Sequence, residues 1–216
     1  MMELKHTTFR KEDLQNLDTA YRRNFINSLS GYKSINLIGT IDTEGNPNLA
    51  IYNTIIHVSS NPPMLAMLVR TPVKPRHTLT NIRETGVYTL NHIKQEFFNK
   101  AHQTAARYHG KKSEFEIVGL KQWYSEHFKA PFVHESPVKI GLELREEYTL
   151  KSNGAILIIG EIVEATVQQN AILSDGLVDL GVTGTITASG LDTYYTTRKI
   201  ARLSFAKPDE DLDVIG

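Results

Sequence analysis

The chain has 216 residues, 40% of them hydrophobic, with 24 basic and 24 acidic side chains and no cysteine. That length and apolar content suit a single domain with a substantial core, read here as spanning 1–216. Neutral net charge argues against nucleic-acid binding by counterion release, and the missing cysteines exclude disulfides, thiolate catalysis and cysteine metal sites.

The opening "MMELKHTTFRKEDLQ" is polar where a signal peptide needs an apolar centre. No run reaches the roughly 20 apolar residues of a membrane span, so the expectation is a soluble, cytoplasmic protein with no membrane partner. Leu14, Leu17, Tyr21, Phe25 and Leu29 recur at helical spacing and predict an N-terminal helix over 12–29, ended by Gly31. "SINLIGTI" (34–41) and "NLAIYNTIIHV" (48–58) are rich in β-branched and apolar residues and flank the turn-forming "DTEGNPN", which predicts a hairpin. "NPP" at 61–63 then precedes a third strand, "MLAMLV" (64–69).

The connection that follows, "RTPVKPRH", gathers Arg70, Lys74, Arg76 and His77 just before a short helix that Thr78 caps and Gly86 ends. Such a cluster beside a helix N-terminus, with its unpaired N–H groups, suits an anion. It equally suits a solvated loop that protects a sheet edge. A strand "VYTLNHI" comes next, then a helix over 95–108 and an irregular insertion over 109–137 marked by Pro131 and Pro137. Two long strands, 138–150 and 155–167, are joined at "KSNG", and a last strand is expected at 199–205 before a loose acidic tail. Strands that adjoin in sequence without alternating helices predict a mainly β fold, an antiparallel barrel with peripheral helices.

Familiar catalytic motifs are missing. "GLVDLGVT" has phosphate-loop glycine spacing but Val182 where the lysine belongs, and "GVTGTITASG" misses the G-x-G-x-x-G spacing. There is no H-E-x-x-H and no G-x-S-x-G, so neither a zinc hydrolase nor a serine hydrolase elbow is indicated, and no metal site is expected.

The order "INLIGTIDTEGNPNLAIYNTIIHVSSNPPMLAMLV", "RHTLTNIRETGVYTLN", "SEFEIVGL", "ESPVKIGLEL", "AILIIGEIVEA" and "SGLDTYYTTRKIARLSFAKP" resembles the flavin reductase-like family with the FMN-binding split barrel. The resemblance implies a six-stranded Greek-key barrel, a homodimer and FMN bound at or near the dimer interface. It implies that Asn48–Thr54, with Ala50, Asn53 and Thr54, meets the flavin ring. It also implies that Arg70, Lys74, Arg76, His77 and Thr78 receive the phosphate where the family often shows Lys-Asp-Thr, so His77 departs from the usual acid. Ser113 matches a loop that can approach cofactor or substrate. The activity implied is NAD(P)H:flavin oxidoreduction, with a monooxygenase or other electron-acceptor protein as partner. The alternative is a flavoredoxin-like electron carrier without efficient NAD(P)H turnover. Short reductases of the family carry Gly-x-His near the C-terminal strands, whereas "SGLDTYYTTRKI" stands here. No catalytic residue is assigned.

Overall fold

The computed structural model describes residues 4–70, 77–108 and 112–216. Strands β2 (Asn36–Ile41) and β3 (Pro47–Tyr52) form the expected hairpin. Asp42 builds its turn: one carboxylate oxygen accepts from the backbone N–H groups of Glu44 (2.9 Å) and Asn46 (2.8 Å), and Gly45 takes φ +91°. The single strand expected over 48–58 is instead two, β3 and β4 (Ile55–Ser60), parted at Asn53–Thr54. Asn53 Nδ2 donates to the distant Gly190 carbonyl (3.0 Å) and turns away from the β2 ladder, while Thr54 already faces Leu68: its Oγ1 donates to the Leu68 carbonyl (2.7 Å) and its own carbonyl accepts from Leu68 N–H (3.2 Å).

With β5 (Pro63–Val69), β6 (Val87–His92), β9 (Val138–Thr149) and β10 (Ile156–Val167), these strands form one antiparallel sheet in the order β3-β2-β6-β9-β10-β5-β4. The sheet has seven strands where six were expected, because the 48–58 run supplies two. Its two edges, β3 and β4, are consecutive in the chain. A flat seven-stranded sheet would hold them roughly 29 Å apart at about 4.8 Å per strand, whereas the three Cα steps from Tyr52 to Ile55 reach at most about 11 Å. The sheet therefore curls until its edges approach, giving a barrel split at Asn53–Thr54.

Alternation along the strands sorts most of the core into two clusters, with a third, smaller one at Phe128, Ala130 and Phe132. Ile38, Met67, Val69, Tyr88, Leu142 and Ile158 pack with Leu79 and Ile82 of helix α3 (His77–Thr85). Gly86, at φ +73°, follows that helix. Leu37 and Leu49 point the other way, onto Ile93, Phe97, Ala101 and Phe115. That second cluster holds α4 (Phe98–Gln103), shorter than the expected 95–108 helix, and α5 (Glu114–Val118).

Four further expectations are corrected. The N-terminal helix is two, α1 (Lys11–Asn16) and α2 (Thr19–Leu29), because the Asp18 carboxylate accepts from Ala20 and Tyr21 N–H and caps a new helix. The 109–137 insertion carries α5 and a small hairpin, β7 (Gln122–Trp123) with β8 (Phe132–Val133). Residues 199–205 form no strand; Leu203 makes only an isolated bridge with Val214. A separate three-stranded sheet instead joins β1 (Lys33–Ser34), β11 (Thr187–Ser189) and β12 (Thr193–Tyr195). The tail is not loose: Arg202 and Ser204 N–H donate to the Gly216 (2.7 Å) and Asp213 (2.9 Å) carbonyls as the chain doubles back.

Candidate functional site

Where the barrel splits, a cavity of about 260 Å³ opens. Ile35, Ile51, Leu68, Ala105 and Leu191 make its apolar walls, and Asn53, Thr54 and Arg70 its polar part. The two donors that end β3 are already in use on Gly190 and Leu68, which fixes their side chains. Asn53 Oδ1 has no partner among the described residues, so the amide retains a free acceptor beside the cavity.

The rim is cationic. Arg70 Nη2 donates to the Asn27 side-chain oxygen (3.0 Å) and Lys33 Nζ to the Asn27 backbone carbonyl (2.6 Å), so two positive groups converge on one neutral residue of α2. Neither has a carboxylate partner among the described residues. Burial, and after it the Arg70 charge, holds the Lys33 ammonium below its usual range. A pair of cations left without a counter-ion at a cavity mouth is the arrangement an anionic group would stabilise.

Three of the sequence-derived candidates, Asn53, Thr54 and Arg70, thus line one cavity. Ala50 lies two residues upstream of Tyr52 on β3, half-buried and paired with Ile38. His77 is exposed at the start of α3. Thr78 is buried, its hydroxyl accepting from Asn48 Nδ2 (3.1 Å). Asn48 Nδ2 and Asn81 Nδ2 both donate to Thr40 Oγ1 (3.2 and 3.1 Å), so a polar network ties α3 to β2 and β3. Ser113 caps α5 by accepting from Phe115 N–H (3.3 Å). Lys74 and Arg76 lie outside the described residues. Sequence reasoning missed Lys33 and Asn27, whose nearness to Arg70 exists only in the fold.

Two grooves adjoin. One of about 530 Å³ runs between α2 and the β11–β12 turn and shares Leu191 with the cavity. The other, of about 480 Å³, includes Phe98 and Tyr194. The Tyr194 hydroxyl sits 2.6 Å from His102 Nδ1, and burial, then the Asp192 charge, pushes its pKa up to about 12. Among the described residues there is no cluster of three potential metal ligands, and no helix is long and apolar enough to cross a membrane. No nucleophile with an adjacent base lines the cavity, so chemistry there would belong to a bound cofactor. An apolar slot with an amide acceptor and a cationic rim fits a flat aromatic ring with an anionic tail.

Residues 32–181 match the flavin reductase like domain, and the chain belongs to that family. A Shewanella frigidimarina protein, provisionally assigned as a flavin reductase with a split barrel domain, is 49% identical, with a TM-score of 0.90 over 93% of this chain and 100% of that one. The fold is also that of nitrilotriacetate monooxygenase component B from Bacillus cereus (18% identical, TM-score 0.80, 93% of this chain and 100% of that). Flavoredoxin of Desulfovibrio vulgaris shares it too (24% identical, TM-score 0.67, 83% of this chain and 92% of that). An Aquifex aeolicus protein without assigned function is 28% identical over 129 residues; the match spans 59% of this chain but 65% of that protein, under two thirds of its length.

Proposed function

We propose that the chain binds FMN in the seam cavity and reduces it with NADH or NADPH. The observation that carries this reading is Arg70 on the wall of an apolar slot with Lys33 beside it on the same Asn27, two cations without a carboxylate partner among the described residues. When bound, FMN supplies the hydride-accepting ring. The residues of this chain do the rest. Ile35, Ile51, Leu68 and Leu191 exclude water from the ring, Asn53 Oδ1 accepts from an imide N–H at its edge, and Arg70 with Lys33 neutralises the phosphate. Lys74, Arg76, His77 and Thr78, on the connection and helix start that follow Arg70, are proposed to extend the same phosphate site, with Ala50 proposed to face the ring and Ser113 to stand on a loop near cofactor or substrate. The likeness to a monooxygenase component supports an acceptor protein as the destination of the electrons.

A second reading, an electron carrier without nicotinamide turnover, is favoured by "SGLDTYYTTRKI" standing where short reductases of the family carry Gly-x-His. One titration separates the readings. Protein with FMN added is freed of oxygen and given NADH, then NADPH; loss of the visible flavin band with either supports the reductase, and a bound band that persists supports the carrier. Protein that binds no FMN refutes both.

A further inference from the structure

The wider groove beside the flavin cavity has a charge pattern of its own. It holds about 530 Å³ between α2 and the turn that joins β11 to β12, and it meets the cavity at Leu191. That turn is anchored to the seam, because Asn53 Nδ2 donates to the Gly190 carbonyl (3.0 Å). A molecule whose reactive end lies over the seam thus has a continuous surface to follow past Leu191 into the groove. One side of the groove is aromatic. Tyr21 and Phe25, one turn apart on α2, have ring centroids 6.1 Å apart and planes 23° from parallel, and Tyr195 of β12 adds a third ring. Tyr21 is 53% exposed, which leaves ring area open for a flat heterocycle to stack upon. Asn24, Ser28 and Ser189 contribute neutral hydrogen-bonding groups.

Cations and anions are kept apart. The charged residue that lines the groove is Asp192, whose Oδ1 accepts from Thr193 Oγ1 (3.2 Å) and which no cation pairs among the described residues. Positive charge stands instead at the cavity, where Arg70 and Lys33 meet on Asn27, the α2 residue next to Ser28. A nicotinamide dinucleotide carries its charge on the central diphosphate, and its adenosine end is neutral in NADH. Aromatic rings, neutral polar groups and a lone carboxylate suit that adenosine. A carboxylate accepts from a ribose hydroxyl, whereas a phosphate on the same oxygen brings two like charges against it. NADPH differs from NADH only by that phosphate, on the 2′ oxygen. We propose that this groove takes the adenosine end of the reducing coenzyme and that Asp192, accepting from the 2′-hydroxyl, selects NADH over NADPH. The proposal rests on the flavin reductase reading, since a carrier that receives electrons from another protein needs no coenzyme.

Coenzyme kinetics test it. With FMN present at low salt, kcat/KM for NADH should exceed that for NADPH by about 30-fold, and added salt should narrow the gap by screening the phosphate. Asp192→Asn keeps an acceptor for the hydroxyl and removes the charge, so it should bring the ratio below about threefold, chiefly by raising the NADPH value. Calorimetric titration of the FMN-loaded protein with NAD+ and NADP+ reads the same selection without turnover, and FMN affinity checks that the variant is folded. Equal use of the two coenzymes, or a preference for NADPH, would overturn the proposal. So would a preference for NADH that Asp192→Asn leaves intact. Flavin that neither coenzyme bleaches would remove the reductase reading, and the titration then decides the groove separately. NAD+ binding that exceeds NADP+ binding only while Asp192 is present would uphold the assignment, and no NAD+ binding, or equal binding of the two, would overturn it.

Discussion

The two ends of β3 use the same kind of side chain for opposite purposes. At the start, Asn48 is buried, and its amide joins Thr40 and Thr78 in a closed network that locks α3 onto the sheet. At the end, Asn53 makes one bond that pins a neighbouring turn and keeps its oxygen free beside a cavity. A polar group enclosed by protein specifies packing, and one left half-satisfied at an opening is available for recognition. Changes at the closed end should therefore cost stability, and changes at the open end should cost ligand.

The largest effect is expected next to the closed end. A Cβ on Gly39, paired with Leu49 across β2 and β3, would overlap the Pro131 carbonyl oxygen and the Thr89 hydroxyl. Gly39→Ala should cost about 3 kcal/mol, measured by denaturant unfolding. Acid should act through His92 on comparable scale. Burial lowers its pKa to about 4, so the folded protein stays unprotonated there while the unfolded chain takes up a proton below about 6.5. The stabilisation is whole above pH 6.5 and declines by about 3 kcal/mol as pH falls to 4. His92→Gln should flatten that part of the stability profile.

Asn48→Ala leaves Thr40 and Thr78 each with one bond fewer and should cost about 2 kcal/mol, lowering the melting temperature before any ligand is added. At the open end the signs reverse. Arg70→Ala should change unfolding by less than about 0.5 kcal/mol, yet weaken FMN about tenfold and riboflavin, which has no phosphate, hardly at all. Equal losses for the two flavins would break the comparison. Smallest of all, Arg83→Ala should remove its pair with Glu147 at a cost of about 0.5 kcal/mol, an effect that fades in high salt.

What was legible in the sequence was local. The Asp42 turn, the Gly86 helix stop and the two long strands at the C-terminal side all follow from residues a few positions apart. The break at Asn53–Thr54 was hidden by apolar residues on both sides, since the partners that set it, Gly190 for Asn53 and Leu68 for Thr54, stand far away in the chain. Asp18 was a readable signal, a capping residue inside an apolar period, and marks where the expected helix divides. Lys33 and Arg70 stand 37 positions apart (70 − 33), and no spacing rule joins them. The 199–205 run has strand composition but meets only the returning tail, Leu203 bridging Val214, a contact that its own residues do not announce.

The shortness of the Tyr52–Ile55 link makes the curvature of the sheet and the cavity beside it one property. Glycines inserted between Asn53 and Thr54 would slacken the only covalent tie between the two margins, letting the sheet unroll and the pocket spread together. A circular permutant opened at that bond would test how far the remaining ladders alone impose closure. Any engineering for a larger ligand should therefore begin at the walls, Ile35 and Leu191, and leave the two-residue tether at its present length.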